Sequence, residues 1–303
     1  MSDIKPDPSA IGGVAVAPFV LIPDPAAVFA TRARRFAFLA ESSRLGPYLA
    51  FLGKLAEVQA RLVADLPDVA APRRARIEPA RAGGMPVLDR SELAASPMMD
   101  LALSRLCEAA RGIDMPEAAR LALEAVMAAD PGERRWLLDN VLSDAIPEDS
   151  VAPHLFAAAA VQVQMARLAA TLTPADPAPV GTGVCPVCGG RPATSLVIGQ
   201  GELENLRYAS CACCATRWNE VRIKCLCCGS TKGISYRSVE THEATVKAEV
   251  CSECGSWVKI LWQVRNHSLD PIADDVGSLG LDLMMKETGL RRGGFDPFLA
   301  GYG

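Results

Sequence analysis

The chain has 303 residues, half of them apolar, with 31 Lys and Arg against 35 Asp and Glu and a formal net charge of −4. This length fits about two domains, and a slightly acidic chain gives no general reason to expect nucleic-acid binding. The most apolar run, residues 155–161, is too short to span a bilayer. Because no N-terminal signal or lipidation motif is recognisable, the sequence predicts a cytoplasmic protein without membrane insertion.

The first part of the chain is patterned for helices. Residues 1–20 are rich in Pro and Gly, so we expect them to be extended or poorly ordered. Asp24–Pro25 has the form of an N-cap followed by proline at the first helical position. A second helix is expected from about Pro47 to just before Pro67. Further helices are predicted over residues 96–111, 116–129, 133–145 and 153–171.

Three other segments of the chain are predicted to lie outside these helices. Residues 67–90 are expected to form a long connection. Its residues Arg73, Arg74, Arg76 and Arg81 suit either a solvated loop or a contact with an acidic partner. Residues 173–183, TPADPAPVGTG, have the composition of a linker between domains. Near the end of the chain, residues 271–288 are predicted to form one helix, and residues 295–299 an apolar tail that docks onto the fold.

Eight cysteines recur in four pairs, and two residues separate the members of each pair. The pairs read CPVC, CACC, CLCC and CSEC, with 22 residues between the first two and 22 between the last two. Each cysteine of the second half lies 40 positions after its counterpart, so one small unit is built twice. Pairs at this spacing are typical of a four-thiolate metal site. The predicted ligands are Cys185, Cys188, Cys211 and Cys214 in the first unit, and Cys225, Cys228, Cys251 and Cys254 in the second.

The residues around the cysteine pairs predict small β-ribbons. Between the pairs the chain alternates apolar and polar residues, as short strands do. Gly189, Gly229 and Gly255 follow three of the pairs and can take the positive φ that frees backbone amides to donate to sulfur. Ala215 follows the remaining pair and departs from this pattern. A unit of about 40 residues buries too little apolar surface to fold unaided, and metal binding can supply the missing stability.

Several uses of these cysteines stay open at this point. Disulfides would require an oxidising compartment, and an iron–sulfur cluster would also use four thiolates. Spacing alone does not separate zinc from iron, and His242 lies between the pairs of the second unit as an alternative ligand. Cys213 and Cys227 each adjoin a predicted ligand, either as small side chains on the turns or as redox-active or alternate-ligand thiols. Because four thiolates leave no open coordination position, we expect no catalysis at these metals.

Four segments of the chain carry a family resemblance: RIKCLCCG at residues 222–229, KAEVCSECGSWVKILWQ at 247–263, DDVGSLGLDLMM at 274–285 and FVLIPDPAAVFATRARRF near the N-terminus. In these segments the chain resembles the FdhE family, the formate dehydrogenase accessory proteins. It implies a cytoplasmic, non-enzymatic maturation factor that binds the catalytic subunit of formate dehydrogenase before twin-arginine export. It also implies rubredoxin-like metal sites built from the eight paired cysteines. Cys213 and Cys227 go beyond the family pattern.

Residues and resemblance together predict an α+β multidomain protein. We expect an all-α helical domain (1–172), a linker (173–183), two tandem rubredoxin-like ribbons (184–223 and 224–268), and a C-terminal helix and tail (269–303). Each ribbon should hold one metal ion, iron or zinc. The alternatives are an electron-transfer protein with redox-active iron and, against the charge balance, a nucleic-acid-binding zinc ribbon. The sequence leaves homo-oligomerisation and the partner-binding residues open.

Overall fold

The structure, a computed structural model, describes residues 17–200, 203–239 and 244–302. The predictions for residues 1–16 and for His242 lie outside these ranges. The described helices are α1 (Pro25–Ala40), α2 (Gly46–Asp65), α3 (Arg74–Ala82), α4 (Arg90–Leu93), α5 (Pro97–Ala110), α6 (Glu117–Ala128), α7 (Pro131–Leu142), α8 (Val151–Ala170), α9 (Ala273–Gly277) and α10 (Leu279–Lys286). None of them is both long enough and apolar enough to cross a bilayer.

The helical layer is built around α8. This helix is rich in alanine, and nearly all of its side chains are buried, so α2, α5, α6 and α7 can pack against it at short range. The sequence prediction for α1 is confirmed, because the Asp24 carboxylate accepts a hydrogen bond from the Ala27 N–H and proline occupies the first turn. Phe29 and Phe36 of α1 are buried.

The prediction of a long connection over residues 67–90 is wrong, because α3 and the start of α4 lie within it. Pro79 stands inside α3, where it removes one backbone donor but does not end the helix. Ile77 anchors α3, with 7% of its side chain exposed. Arg76 is paired with Asp89 and Glu92, at 3.7 and 3.0 Å, so this arginine is held by the chain itself.

Eight strands of the described ranges form one mixed sheet. They are β1 (Val20–Leu21), β2 (Pro192–Gln200), β3 (Leu203–Cys211), β4 (Arg217–Glu220), β5 (Ile234–Arg237), β6 (Val246–Cys251), β7 (Ser256–Leu261) and β8 (Arg291–Arg292). The strand order is β1-β4-β3-β2-β7-β6-β5, and β8 pairs with β7. Strands β2 to β4 form the first antiparallel ribbon, and strands β5 to β7 form the second.

The two ribbons are joined edge to edge. Strands β2 and β7 pair in parallel, with Ser195 opposite Ile260 and Leu196 opposite Leu261. The N-terminal β1 extends the first ribbon by pairing antiparallel with β4. The strand-rich region after the helices therefore has a single backbone hydrogen-bond network, which the repeat of the cysteine pairs does not reveal.

The predicted single helix over residues 271–288 is instead two short helices, α9 and α10. They meet at Ser278, whose backbone leaves the helical region with φ −101° and ψ 30°, and whose hydroxyl donates to the carbonyl of Asp274. This break turns α10, so that Leu281 and Met285 are buried whereas Leu283 is 53% exposed. The tail docks as predicted, with Phe298 buried and its carbonyl accepting a hydrogen bond from the Tyr48 hydroxyl.

The carboxylates of Asp274 and Asp275 form ion pairs with cations of other segments. Asp274 pairs with Arg35 of α1 at 2.6 Å, and Asp275 with Lys259 of β7 at 3.0 Å. Arg292 of β8 also reaches Asp275, at 2.5 Å. All of these groups are buried or nearly so. The pairs connect the helical layer, the sheet and the C-terminal segment, and removal of one member would leave a buried charge uncompensated.

Candidate metal centres

The first four-cysteine group, site I, is fully enclosed. It consists of Cys185, Cys188, Cys211 and Cys214, whose sulfurs all lie within 4.8 Å of one another and all of which are buried. The Sγ atoms of Cys185 and Cys214 are 3.6 Å apart, and those of Cys188 and Cys211 are 3.5 Å apart. Four sulfurs at about 2.3 Å around a tetrahedral ion would be about 3.8 Å from one another, so the group fits one metal ion.

The second group, site II, has the same geometry but reaches the surface. Its members are Cys225, Cys228, Cys251 and Cys254, again with all sulfurs within 4.8 Å. The Sγ separations are 3.8 Å for Cys225 with Cys254 and 3.8 Å for Cys228 with Cys251. Here Cys228 is exposed and Cys254 is half-buried. The two units differ in access rather than in ligand arrangement.

The backbone explains why both sites close in the same way. In each ribbon one cysteine ends a strand, Cys211 in β3 and Cys251 in β6. The first pair of each ribbon forms a matching turn, in which the N–H of Gly189 donates to the carbonyl of Cys185 and that of Gly229 donates to the carbonyl of Cys225. Backbone amides also point at sulfur, as when Cys214 N–H donates to Cys211 Sγ at 3.4 Å.

All four turn residues adopt the left-handed backbone. The φ angles are 76° at Gly189, 78° at Gly229, 63° at Gly255 and 59° at Ala215. Ala215 therefore departs from the glycine pattern in sequence only, because its backbone takes the conformation that the turn requires. This conformation costs free energy in a residue that has a Cβ.

Without a cation, burial disfavours the thiolate form at several members of each site. Burial raises the pKa of Cys185 well above its ordinary value, and burial raises that of Cys225 as well. At Cys254 burial opposes the thiolate, but hydrogen bonds from Ser256 outweigh it and lower the pKa to about 7. A metal ion that binds four thiolates must therefore displace protons, which couples its affinity to pH. Such an ion has no open position for water or substrate.

A cation of the chain lies beside site I. Arg90 pairs with Asp144 at 2.7 Å, and Asp144 also accepts a hydrogen bond from the backbone N–H of Arg191, just after the first cysteine pair. A Cβ on Gly190 would lie 3.0 Å from Arg90 Nη1 and 3.3 Å from Cys211 Sγ, so glycine there allows the guanidinium to approach the sulfurs. A nearby positive charge favours thiolates. Sequence reasoning missed Arg90, because nothing in its local pattern distinguishes it from the neighbouring arginines.

The remaining cysteines, Cys107, Cys213 and Cys227, lie outside the two groups. Cys213 is buried and Cys227 is exposed, and the N–H of each donates to the sulfur of the first cysteine of its pair. Cys107 is buried among apolar helix residues. All eleven cysteines, each within the described ranges, are free thiols, so the structure contains none of the disulfides considered as an alternative.

A buried ion pair connects the two ribbons. Arg207 of β3 is enclosed and donates to Glu249 of β6 at 2.7 Å. The same guanidinium donates to the carbonyl of Lys224 at 2.7 Å, at the entrance to the first cysteine pair of site II. Burial raises the pKa of Glu249, although Arg207 opposes this shift. No sequence signal separates Arg207 and Glu249 from exposed charges in alternating strands.

A helical region followed by a strand-rich region with two closed four-cysteine centres defines a class of metal-binding protein. The FdhE family models match residues 17–182 (N-terminal), 184–222 (central domain) and 223–299 (C-terminal domain). The chain is 53% identical to the protein FdhE homolog of Rhizobium meliloti (strain 1021) over 304 residues, which is 100% of this chain and 99% of that protein. It is 33% identical to the protein FdhE homolog of Edwardsiella ictaluri (strain 93-146) over 302 residues, 98% of this chain and 95% of that one.

The fold shows the same relationship. The crystal structure of the FdhE protein from Pseudomonas aeruginosa superposes with a TM-score of 0.83 at 31% identity, covering 95% of this chain and 100% of that chain. The chain belongs to the FdhE family. The resemblance inferred from its residues is confirmed, and so is the predicted order of a helical region followed by the cysteine ribbons.

Proposed function

We propose that this protein is a cytoplasmic accessory factor that binds the catalytic subunit of formate dehydrogenase and is needed for its activity, before twin-arginine export. The observation that carries the proposal is the full-length correspondence with the FdhE family, through the helical region and both cysteine units. The proposal places the protein with the immature subunit, where it shields the subunit or licenses cofactor loading.

The proposed role is not enzymatic. The groups best suited to bind a metal ion are two sets of four thiols, which close the coordination of any ion they hold. Each unit, residues 184–223 and 224–268, is proposed to bind one ion, iron or zinc, through its four paired cysteines. Metal binding would then fix the ends of the strands and keep the sheet rigid beside the helical region. A rigid surface lowers the entropic cost of binding a partner.

Affinity purification from the cytoplasm tests the proposal directly. Tagged protein would be recovered from cells grown under formate-respiring conditions, and the eluate analysed by mass spectrometry. The proposal predicts enrichment of a formate dehydrogenase catalytic subunit over an untagged control. If that subunit is present in the lysate and is not enriched, the proposed function is wrong.

Electron transfer is the second candidate, and the exposure of site II favours it. Cys228 is exposed and Cys254 is half-buried, so an iron ion held there would lie close to the surface. A rubredoxin-type iron centre would give a red protein that dithionite bleaches and air restores. A colourless protein that contains zinc would exclude this function.

A further inference from the structure

A cationic aromatic cluster surrounds Trp262, the residue that follows β7. Arg222 and Arg265 place their guanidinium carbons 5.0 and 5.1 Å from the centroid of the Trp262 ring. Lys247 adds its ammonium nitrogen at 5.6 Å from the same ring. The two guanidinium groups concentrate positive charge around one indole, and the ring partly offsets their mutual repulsion.

Exposed apolar side chains adjoin the cluster. Val221 and Ile223, on either side of Arg222, are 59% and 54% exposed. Tyr236 is 41% exposed, and its hydroxyl donates to Glu249, whose partner Arg207 donates to the carbonyl of Arg222 at 3.3 Å. These contacts place Tyr236 next to the same turn. We define the Trp262 patch as Val221, Arg222, Ile223, Tyr236, Trp262 and Arg265.

Two carboxylates that adjoin the patch, Glu249 and Glu220, are already paired with other cations. Glu249 is occupied by Arg207, and Glu220 by Lys224 at 3.2 Å. Among the residues that the structure describes, Arg222 and Arg265 form no ion pair, and Trp262 Nε1 is buried without a hydrogen-bond acceptor. Tyr, Trp and Arg beside exposed aliphatic residues have the composition of interface hot spots.

We infer that the Trp262 patch is the docking surface for an acidic segment of the formate dehydrogenase catalytic subunit that also carries an apolar side chain. The inference rests on the proposed function and adds the surface and its chemistry. Carboxylates of the segment would pair with Arg222 and Arg265, and its apolar side chain would cover Ile223 and Val221. Arg222 and Ile223 precede Cys225 of site II by three and two residues in the chain.

The test measures binding of the purified catalytic subunit to the metal-loaded full chain and to a double charge reversal, Arg222→Glu with Arg265→Glu. We expect the dissociation constant to rise on the order of tenfold or more, and the salt dependence of binding to weaken. Arg61→Glu with Arg105→Glu is the matched control, because both residues are exposed on the helical layer and the change of net charge is the same. Ile223→Ser, which keeps the charge, should weaken binding with little effect on salt dependence.

The possible outcomes distinguish failure of the proposed function from failure of the proposed docking surface. If the unaltered protein does not bind the subunit, the proposed function fails. If it binds and both the reversal and Ile223→Ser bind equally well while retaining their metal, the patch is not the docking surface. Tight, strongly salt-dependent binding of a single-stranded oligonucleotide to the patch, with no effect of the variants on subunit binding, would also overturn the inference in favour of nucleic acid.

Discussion

At the scale of single residues, the metal centres depend on backbone conformation as much as on cysteine. Each of the four turns places one residue in the left-handed region, and three of these residues are glycine. The spacing of the pairs was enough to predict which eight cysteines come together, because a two-residue gap fixes the geometry of each turn locally. It was not enough to find Arg90, which comes from a distant helix and acts only after the fold has formed.

Replacing alanine by glycine at one turn, and glycine by alanine at another, should have opposite effects on the free energy of unfolding. Ala215→Gly relieves the strain of a Cβ at positive φ, and we expect a change between neutral and about 1 kcal/mol of added stability. Gly255→Ala introduces that strain where no heavy atom lies within 4 Å of the new Cβ, and it should cost about 1 kcal/mol. Thermal unfolding of the metal-loaded variants measures both. Destabilisation by Ala215→Gly would show that the backbone of Ala215 is not strained.

His154 should make stability depend on pH. Burial lowers its pKa, Nδ1 donates to the carbonyl of Ser150, and Nε2 faces the Asn140 amide at 3.1 Å, an arrangement that suits the neutral ring. A lowered folded-state pKa means that this contribution is full above the unfolded value, about 6.5, and is lost as the pH falls through the folded value.

Denaturant unfolding between pH 7.5 and pH 5 tests this expectation. The loss of stability towards acid should be smaller in His154→Gln than in the unaltered protein. His267→Gln is the control, because His267 is exposed and its replacement should leave the pH profile unchanged. Identical profiles for all three proteins would show that His154 is not the titrating group.

At the scale of helices and strands, the sequence predicted the elements whose positions depend on interactions between neighbouring residues. The N-cap at Asp24 and the apolar spacing of α1 and α2 were enough to place those helices. Proline was misleading at residue 79, because packing of Ile77 keeps α3 intact there. The break at Ser278 and the parallel pairing of β2 with β7 arise from contacts between distant segments, which no window of sequence contains.

The Arg207–Glu249 pair should be a main connection between the ribbons. Arg207→Met leaves Glu249 buried without its partner, so we expect a loss of about 3–5 kcal/mol. Adding Glu249→Met should recover much of that loss, because the isolated charge is then removed as well. Urea unfolding of the single and double variants, with exposed Arg237→Met as control, measures this coupling. Equal stability of the single and double variants would show that the pair is not coupled.

At the scale of the whole molecule, the two sites are related in sequence but not in exposure. Site I is enclosed between the sheet and the helical layer, whereas site II opens to solvent at Cys228. The 40-residue repeat predicted equal units and could not predict this difference, because burial depends on where the helices pack. The same long-range packing brings Arg222 and Arg265 together at Trp262.

The difference in exposure predicts the order of metal release. The metal-loaded chain should contain two ions, one per four-cysteine group, and a thiol-reactive reagent should release the ion of site II first. Cys228→Ser and Cys185→Ser should each lose one ion, with the larger loss of stability for the buried Cys185. Cys227→Ser changes an exposed thiol outside both groups and should keep both ions. Elemental analysis measures the content, and simultaneous release of both ions would contradict the prediction.

We propose that bound metal ions make the two ribbons rigid, and that the ribbons then present a surface to an immature formate dehydrogenase subunit. The most direct measurement is calorimetric titration of the purified catalytic subunit with the metal-loaded chain, the metal-free chain and the chain after metal is restored. We expect the metal-loaded chain to bind the catalytic subunit and the metal-free chain to lose most of that affinity. The affinity should recover when metal is restored. Equal affinity of the loaded and metal-free chains would contradict this proposal.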